Sequence, residues 1–136
     1  MSDEPEDDEQ ELIDKLGSGM AFPPRPEGGG LKMAEGIELL EGSMTAIVLT
    51  QRGSHGHSPG LGWPMKELIP TGDAKQINQA IKEALTRSED RVDHSKLEVS
   101  AGTLADGLLP VVITYTLAGG RKQRHLTVNV PWPSKN

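Results

Sequence analysis

The sequence predicts an α+β fold: two main helices packed on a small antiparallel sheet with a C-terminal β-hairpin, preceded by an extended N-terminal arm. Three observations predict it. Apolar residues recur at spacings of three and four over 35–50 and again over 73–88, the period of a helix with one buried face. From residue 97 onward they alternate instead, the period of a strand. Between the last two alternating runs stands Ala118-Gly119-Gly120-Arg121, a hairpin-turn pattern.

Taken in order, residues 1–14 hold eight acids and no Lys or Arg. Residues 1–11 carry too little apolar surface to offset the entropy of ordering, so 1–14 is expected to be an acidic flexible tail ahead of a domain spanning 15–136. Leu12, Ile13 and Leu16 fit a short helical turn ending at Gly17. Residues 15–34 are crowded with Gly and Pro and read as an extended arm. Phe22, the only phenylalanine, is expected to plug into the body or into a neighbour. Ile37, Leu40, Met44, Ile47 and Val48 then share one helical face. Gly36 and Gly42 weaken that helix in isolation, so packing must hold it. A long loop follows, with Gly53, Gly56, Gly60, Gly62, Pro59 and Pro64. The second helix buries Ile77, Ala80, Ile81, Ala84 and Leu85, with Asp73 or Thr71 as its N-cap. Leu97 and Val99 alternate in a first strand. Val111, Ile113, Tyr115 and Leu117 alternate in a second, with Pro110 at its start. Leu126, Val128 and Val130 alternate in a third, ended by Pro131 and Pro133.

The net charge of −6 conceals a division. Beyond residue 14, twelve acids face fourteen Lys plus Arg, and no acid follows Asp106. A nucleic-acid binder needs a denser basic patch with stacking aromatics, and this chain has one Tyr, one Phe and two Trp. A basic strand carrying Arg121 and Arg124, facing an acidic protein partner, fits better. There is no cysteine, which removes disulfides and thiolate ligands and suits assembly in the reducing cytoplasm. No apolar stretch is long enough to insert in a membrane, and the acidic start is unlike a signal peptide. His55 and His57 could approach a metal from an extended segment, but no third ligand stands nearby and a Gly-rich loop holds geometry poorly. A triad of Ser54, His55 and Asp73 lacks a nucleophile elbow. No metal or cofactor is expected. Trp63 and Trp132 lie in Pro/Gly segments, where an aromatic serves the core or anchors an interface; Trp132, between two prolines, is expected at an interface.

The densest chemistry is at Ala84-Leu85-Thr86-Arg87-Ser88-Glu89-Asp90-Arg91-Val92, where the second helix ends. The carboxyl end of a helix favours cations, which suits Arg87 and Arg91 but leaves Glu89 in need of a partner. Two readings are open. Glu89 pairs locally with Arg91 or Arg87, worth little if exposed, or the cluster holds another chain.

Helix, Glu-Asp-Arg, then strand resembles the gene-25-like baseplate wedge family of contractile phage tails, type VI secretion systems and extracellular contractile injection systems. Its members carry Glu-Pro-Arg here; Glu89 and Arg91 match, and Asp90 stands in place of the proline. Leu16-Gly17-Ser18-Gly19-Met20-Ala21-Phe22-Pro23, followed by Gly29-Gly30-Leu31, is similar to the family's opening Leu-Gly-x-Gly-x-x-Phe-Pro and Gly-Gly-x. Ile47-Val48-Leu49-Thr50 with Gly53, Pro59 and Gly62 resembles its Leu-Leu-Thr-x-x-Gly loop, and Val112-Ile113-Thr114-Tyr115 its penultimate strand. Ser54-His55 replaces the family's Glu-Arg after that first glycine. The order and spacing of these pieces over residues 16–130 carry the resemblance.

The resemblance implies a structural protein, not an enzyme. It would dock on other wedge proteins, in multiple copies around a six-fold ring. It would template the first sheath layer by strand addition and meet hub, spike and inner-tube proteins. Glu89, Asp90 and Arg91 would grip wedge helices, and the strands around 111–130 would be the template. The alternative is a lysozyme-like peptidoglycan hydrolase of the tail. Such an enzyme needs a carboxyl in an apolar pocket with a raised pKa. Glu89 and Asp90 lie among arginines, which lower it. A third reading is a free-standing binding module with an acidic tail.

Overall fold

The computed structural model describes residues 5–53 and 61–132. The expected loop pair His55 and His57 lies outside them, as does Ser54. The element order is α1 (Pro5–Asp14), β1 (Ser18–Met20), β2 (Pro26–Glu27), β3 (Gly30–Leu31), β4 (Met33–Glu35), α2 (Gly36–Val48), α3 (Met65–Leu68), α4 (Ala74–Ser88), β5 (Glu98–Ala101), β6 (Leu108–Thr116) and β7 (Gln123–Pro131). This is the expected α+β fold, with β5, β6 and β7 forming an antiparallel sheet in that order.

Alternation decides which sheet face is covered. On β6, Leu109, Val111, Ile113 and Tyr115 are buried; on β7, Val128 and Val130 are buried. The register pairs Leu109 with Val130 and Val111 with Val128, so these side chains share one face. Against that face α2 brings Leu40, Met44, Ile47 and Val48, and α4 brings Ile77, Ile81, Ala84 and Leu85. Asp73 caps α4 as expected, accepting from the backbone N–H of Lys75 and of Gln76. Trp63 is fully buried, and its indole N–H donates to the Val48 carbonyl at 2.8 Å, so it belongs to the core. Gly62, just before it, has φ +87°, and a Cβ there would strike the Thr50 carbonyl.

Two expectations are refined. Residues 15–34 run extended, partly in short strands, but not as a free arm. The chain folds back on itself, pairing Met20 with Met33 and Pro26 with Leu31. The resulting hairpin lies along α2 because glycine permits close approach: a Cβ on Gly42 would sit 3.3 Å from that of Phe22, and one on Gly19 3.1 Å from Leu39. Gly42 costs helix propensity but opens this seat. The acidic N-terminus likewise does not stay apart from the domain. Its helix α1 runs to Asp14, packs Leu12 and Ile13 against the core, and buries Glu9. The Glu9 carboxylate accepts from Arg124 of β7 at 3.1 Å and 3.2 Å.

Two outcomes test this packing. Gly62→Ala is expected to cost about 3 kcal/mol in urea unfolding, since positive φ and a backbone collision act together. Truncation before Lys15 is expected to lower the thermal midpoint by about 5 °C or more, because it strips apolar side chains from the core and leaves Arg124 unpaired. An unchanged midpoint would show that α1 adds nothing to the fold.

Candidate functional site

The site begins where α4 stops. The Glu89 N–H still donates to Leu85, but φ −128° and ψ 106° send the chain into an extended path. That turn points the Glu89 side chain back into the protein, where the residue is 2 % exposed. Its carboxylate accepts from the Arg91 guanidinium at 2.7 Å (Nε) and 2.9 Å (Nη2), and from the Arg91 backbone N–H at 3.1 Å. Ser43 of α2 donates a fourth bond at 3.2 Å. The Glu89 carbonyl accepts from His94 Nε2 at 2.6 Å. Arg91 is held from its other side, since its carbonyl accepts from the Ala118 N–H, and the Asp93 N–H donates to Thr116. One carboxylate thus ties α2, the end of α4 and the far end of β6 together.

This geometry resolves the two sequence readings of Glu89 differently from either. The pair is local, as in the first, yet buried and bidentate, which is the strong form of the interaction. Burial pushes the Glu89 pKa up, but the Arg91 and Ser43 hydrogen bonds and the Arg91 charge outweigh it and hold the carboxyl below its usual value. Asp90 points to solvent, and the Arg91 side chain is 34 % exposed. The surface left for a partner is therefore Asp90 and the outer edge of the guanidinium, not the Glu89 carboxylate.

The other expected partner residues are dispersed. Phe22 sits on α2 against Gly42, one position from Ser43, and is 39 % exposed. Arg121 is exposed at the β6–β7 turn. Arg124 faces inward and is occupied by Glu9, so the acid expected from another protein is supplied by this chain. Trp132 packs partly on the core, and its N–H donates to Gly107 at 2.8 Å. Next to Arg124 in register, the Tyr115 hydroxyl donates to Glu41 of α2 at 2.5 Å; burial, then this bond, pushes the phenol pKa well up. The sequence offers no local signal for this pairing of residues 74 positions apart.

The two sheet edges differ. At β5, the outward N–H of Ala101 donates to the Asn78 side chain of α4 at 2.7 Å, and the strand has only four residues. β7 has nine, and among the described residues no strand pairs with its outer edge. The bond from Trp132 N–H to Gly107 and the alternation of an antiparallel ladder fix which groups face out. They are the N–H and C=O of Gln123, His125, Thr127 and Asn129.

The Glu89 cluster makes a signed prediction. Because the folded-state pKa is depressed, its stabilisation is complete well above pH 4.5 and is lost as pH falls through the lower folded value. Glu89→Gln is expected to cost about 2 kcal/mol at pH 7. The gap from wild type should close as urea unfolding is repeated at pH 4 and then pH 3. A gap independent of pH would mean that the carboxylate charge is not what Arg91 binds.

No protein-family model and no curated protein matches the sequence. Three solved chains are similar. A candidate tail lysozyme from Geobacter sulfurreducens is 24% identical, with a TM-score of 0.59 over 71% of this chain and 91% of that one. The anti-feeding prophage baseplate, in its six-fold symmetrised cryo-EM structure, has a chain 19% identical, with a TM-score of 0.57 over 90% of this chain and 91% of that one. At these identities the likeness establishes architecture alone: the chain shares the fold of the tail-lysozyme candidate and of the anti-feeding prophage baseplate chain.

Proposed function

We propose that this protein is a structural wedge component of the baseplate of a contractile injection machine, present in several copies around a six-fold ring. There it docks on other wedge proteins and templates the first layer of sheath by strand addition. The observation that carries this reading is the open edge of β7. A long, flat edge invites pairing, and proteins that must not pair blunt it with lysine, acid, proline or a covering element. The chain covers its short edge with Asn78 yet leaves Gln123–Asn129 without Lys, Asp, Glu or Pro. Pro131 then ends the ladder. An incoming strand finds alternating donors and acceptors on a rigid sheet, the physical basis of β-augmentation.

The likeness to an anti-feeding prophage baseplate chain over nearly the whole sequence supports the assembly role. Asp90, the outer edge of Arg91, Phe22, Arg121 and Trp132 are the proposed contacts to wedge and sheath subunits. The peptidoglycan-cleaving alternative draws on the name of the other neighbour. It would need a carboxylic acid held protonated, whereas Arg91 and Ser43 hold Glu89 ionised.

Thr127→Pro tests strand addition. The Thr127 N–H faces away from β6, so proline removes a donor only from the open edge. The variant is expected to keep its circular dichroism spectrum while sheathed particles, counted by electron microscopy, are lost. Val128→Pro, one residue on, should instead unfold the sheet, because its N–H bonds β6. Folded Thr127→Pro that supports complete particles would exclude β7 as the template.

A further inference from the structure

Four of the exposed large apolar side chains lie on the 18–35 hairpin: Met33 (61 %), Met20 (51 %), Leu31 (49 %) and Phe22 (39 %). The register places Met20 beside Met33, and Leu31, two residues before Met33, is exposed as well. The opposite face is spent on α2: Gly19 meets Leu39, and Ala21 and Ala34 are buried. A two-stranded ladder gains little by itself, so one covered face and one apolar open face is an unfinished arrangement. Methionine is the apolar side chain that best adapts to a partner's shape.

Along the same outer face the next cross-strand pair is Ser18–Glu35. There the apolar strip runs into a pocket of about 590 Å³ between α1, β1 and the start of α2. Its apolar wall is Ile13 and Ile37, and its rim carries Asp14, Glu35 and Glu38. Glu38 is already shared by Arg25 and Lys32. Glu35 has no ion pair among the described residues and makes no capping bond. The strip therefore ends in an acid that a cation would complete.

We propose that this face is a docking surface for an amphipathic helix of another protein. The helix seats its apolar stripe on Met20, Leu31 and Met33 and is oriented by a lysine or arginine that enters the pocket at Glu35. From Leu31 to Glu35 the face spans about 14 Å, the reach of two to three helical turns. The cation's methylene stem suits Ile13 and Ile37 while its charge meets Glu35. A second copy of this chain fits less well. The exposed strip is on the order of 400 Å² per copy, short of what a stable dimer buries. The proposal does not depend on the wedge reading.

The test uses the full chain with methyl-labelled methionine and two synthetic amphipathic peptides of about three turns. They differ only in carrying Arg or Glu at one end of the apolar stripe. The Arg peptide is expected to shift the Met20 and Met33 methyl signals and leave those of the buried Met44 and Met65 in place. The Glu peptide should bind at least about fivefold more weakly. Met33→Glu, an exposed change, should preserve the circular dichroism spectrum and abolish the Met20 shift. No shift with the Arg peptide, or equal affinity for both peptides, would overturn the proposal. So would concentration-dependent shifts without peptide, which would assign the face to a second copy.

Discussion

The junction of α2, the end of α4 and the end of β6 depends on one buried carboxylate. An ionised carboxyl taken out of water costs several kcal/mol unless its lone pairs are matched. Glu89 is matched by four donors, three from Arg91 and one from Ser43. Such a group specifies geometry more than it adds stability. The chain must leave α4 in an extended conformation, Arg91 must stand two residues on, and α2 must present a hydroxyl at position 43. Each condition fixes one element against another. Arg91→Glu would not isolate a contact with another chain, since it would also set two carboxylates against each other inside this one.

The same economy explains why the two ends of the sheet have opposite characters. α4 lies over β5 and lends it Asn78, which closes that edge. α2 reaches the sheet through Glu41 and Tyr115, beneath β6 and beside β7, and α1 clips Arg124 from below. Among the described residues, no element lies beside the outer edge of β7. The helices are spent on the inner face and the short edge, and the open edge is what remains. It is also a nine-residue edge, longer than the four-residue edge at β5, and Val128 and Val130 anchor it in the packed interior. A template must be rigid before its partner arrives, because ordering it on binding would subtract from affinity.

Much of the fold was legible in the sequence because burial enforces periodicity. The alternation over 111–117 and 126–130, the helical spacing of Ile77, Ile81, Ala84 and Leu85, and the Asp73 cap each stand in the structure where the pattern put them. The failures are equally physical. Glu9 looks in sequence like any solvated acid, and only its distant partner Arg124 makes it structural. The hairpin shows no alternation because its open face, with Met20 and Met33, is apolar as well, and its corners are irregular and glycine-rich. At the candidate site, charge pattern alone located Glu89 and Arg91 but could not show which of the two faces outward. That depends on the backbone turn after Ser88, a tertiary fact.

That turn also bears on Asp90, which stands where the family that the sequence resembles carries proline. The residue before a proline is driven out of the helical region toward extended φ and ψ. Glu89 has those angles already, at −128° and 106°. Asp90 is exposed, and no hydrogen bond in the cluster uses its N–H. A Glu-Pro-Arg sequence would therefore reach the same geometry by restricting the backbone. Here the Glu89–Arg91 fork and the Ser43 bond hold it unaided. What the arrangement requires is a carboxylate and a guanidinium two residues apart on an extended backbone, with the intervening residue free to face solvent. Aspartate places a negative charge where proline would place an apolar ring. The chemistry exposed to solvent beside the Arg91 guanidinium is thus set by residue 90, while the local fold is set by residues 89 and 91.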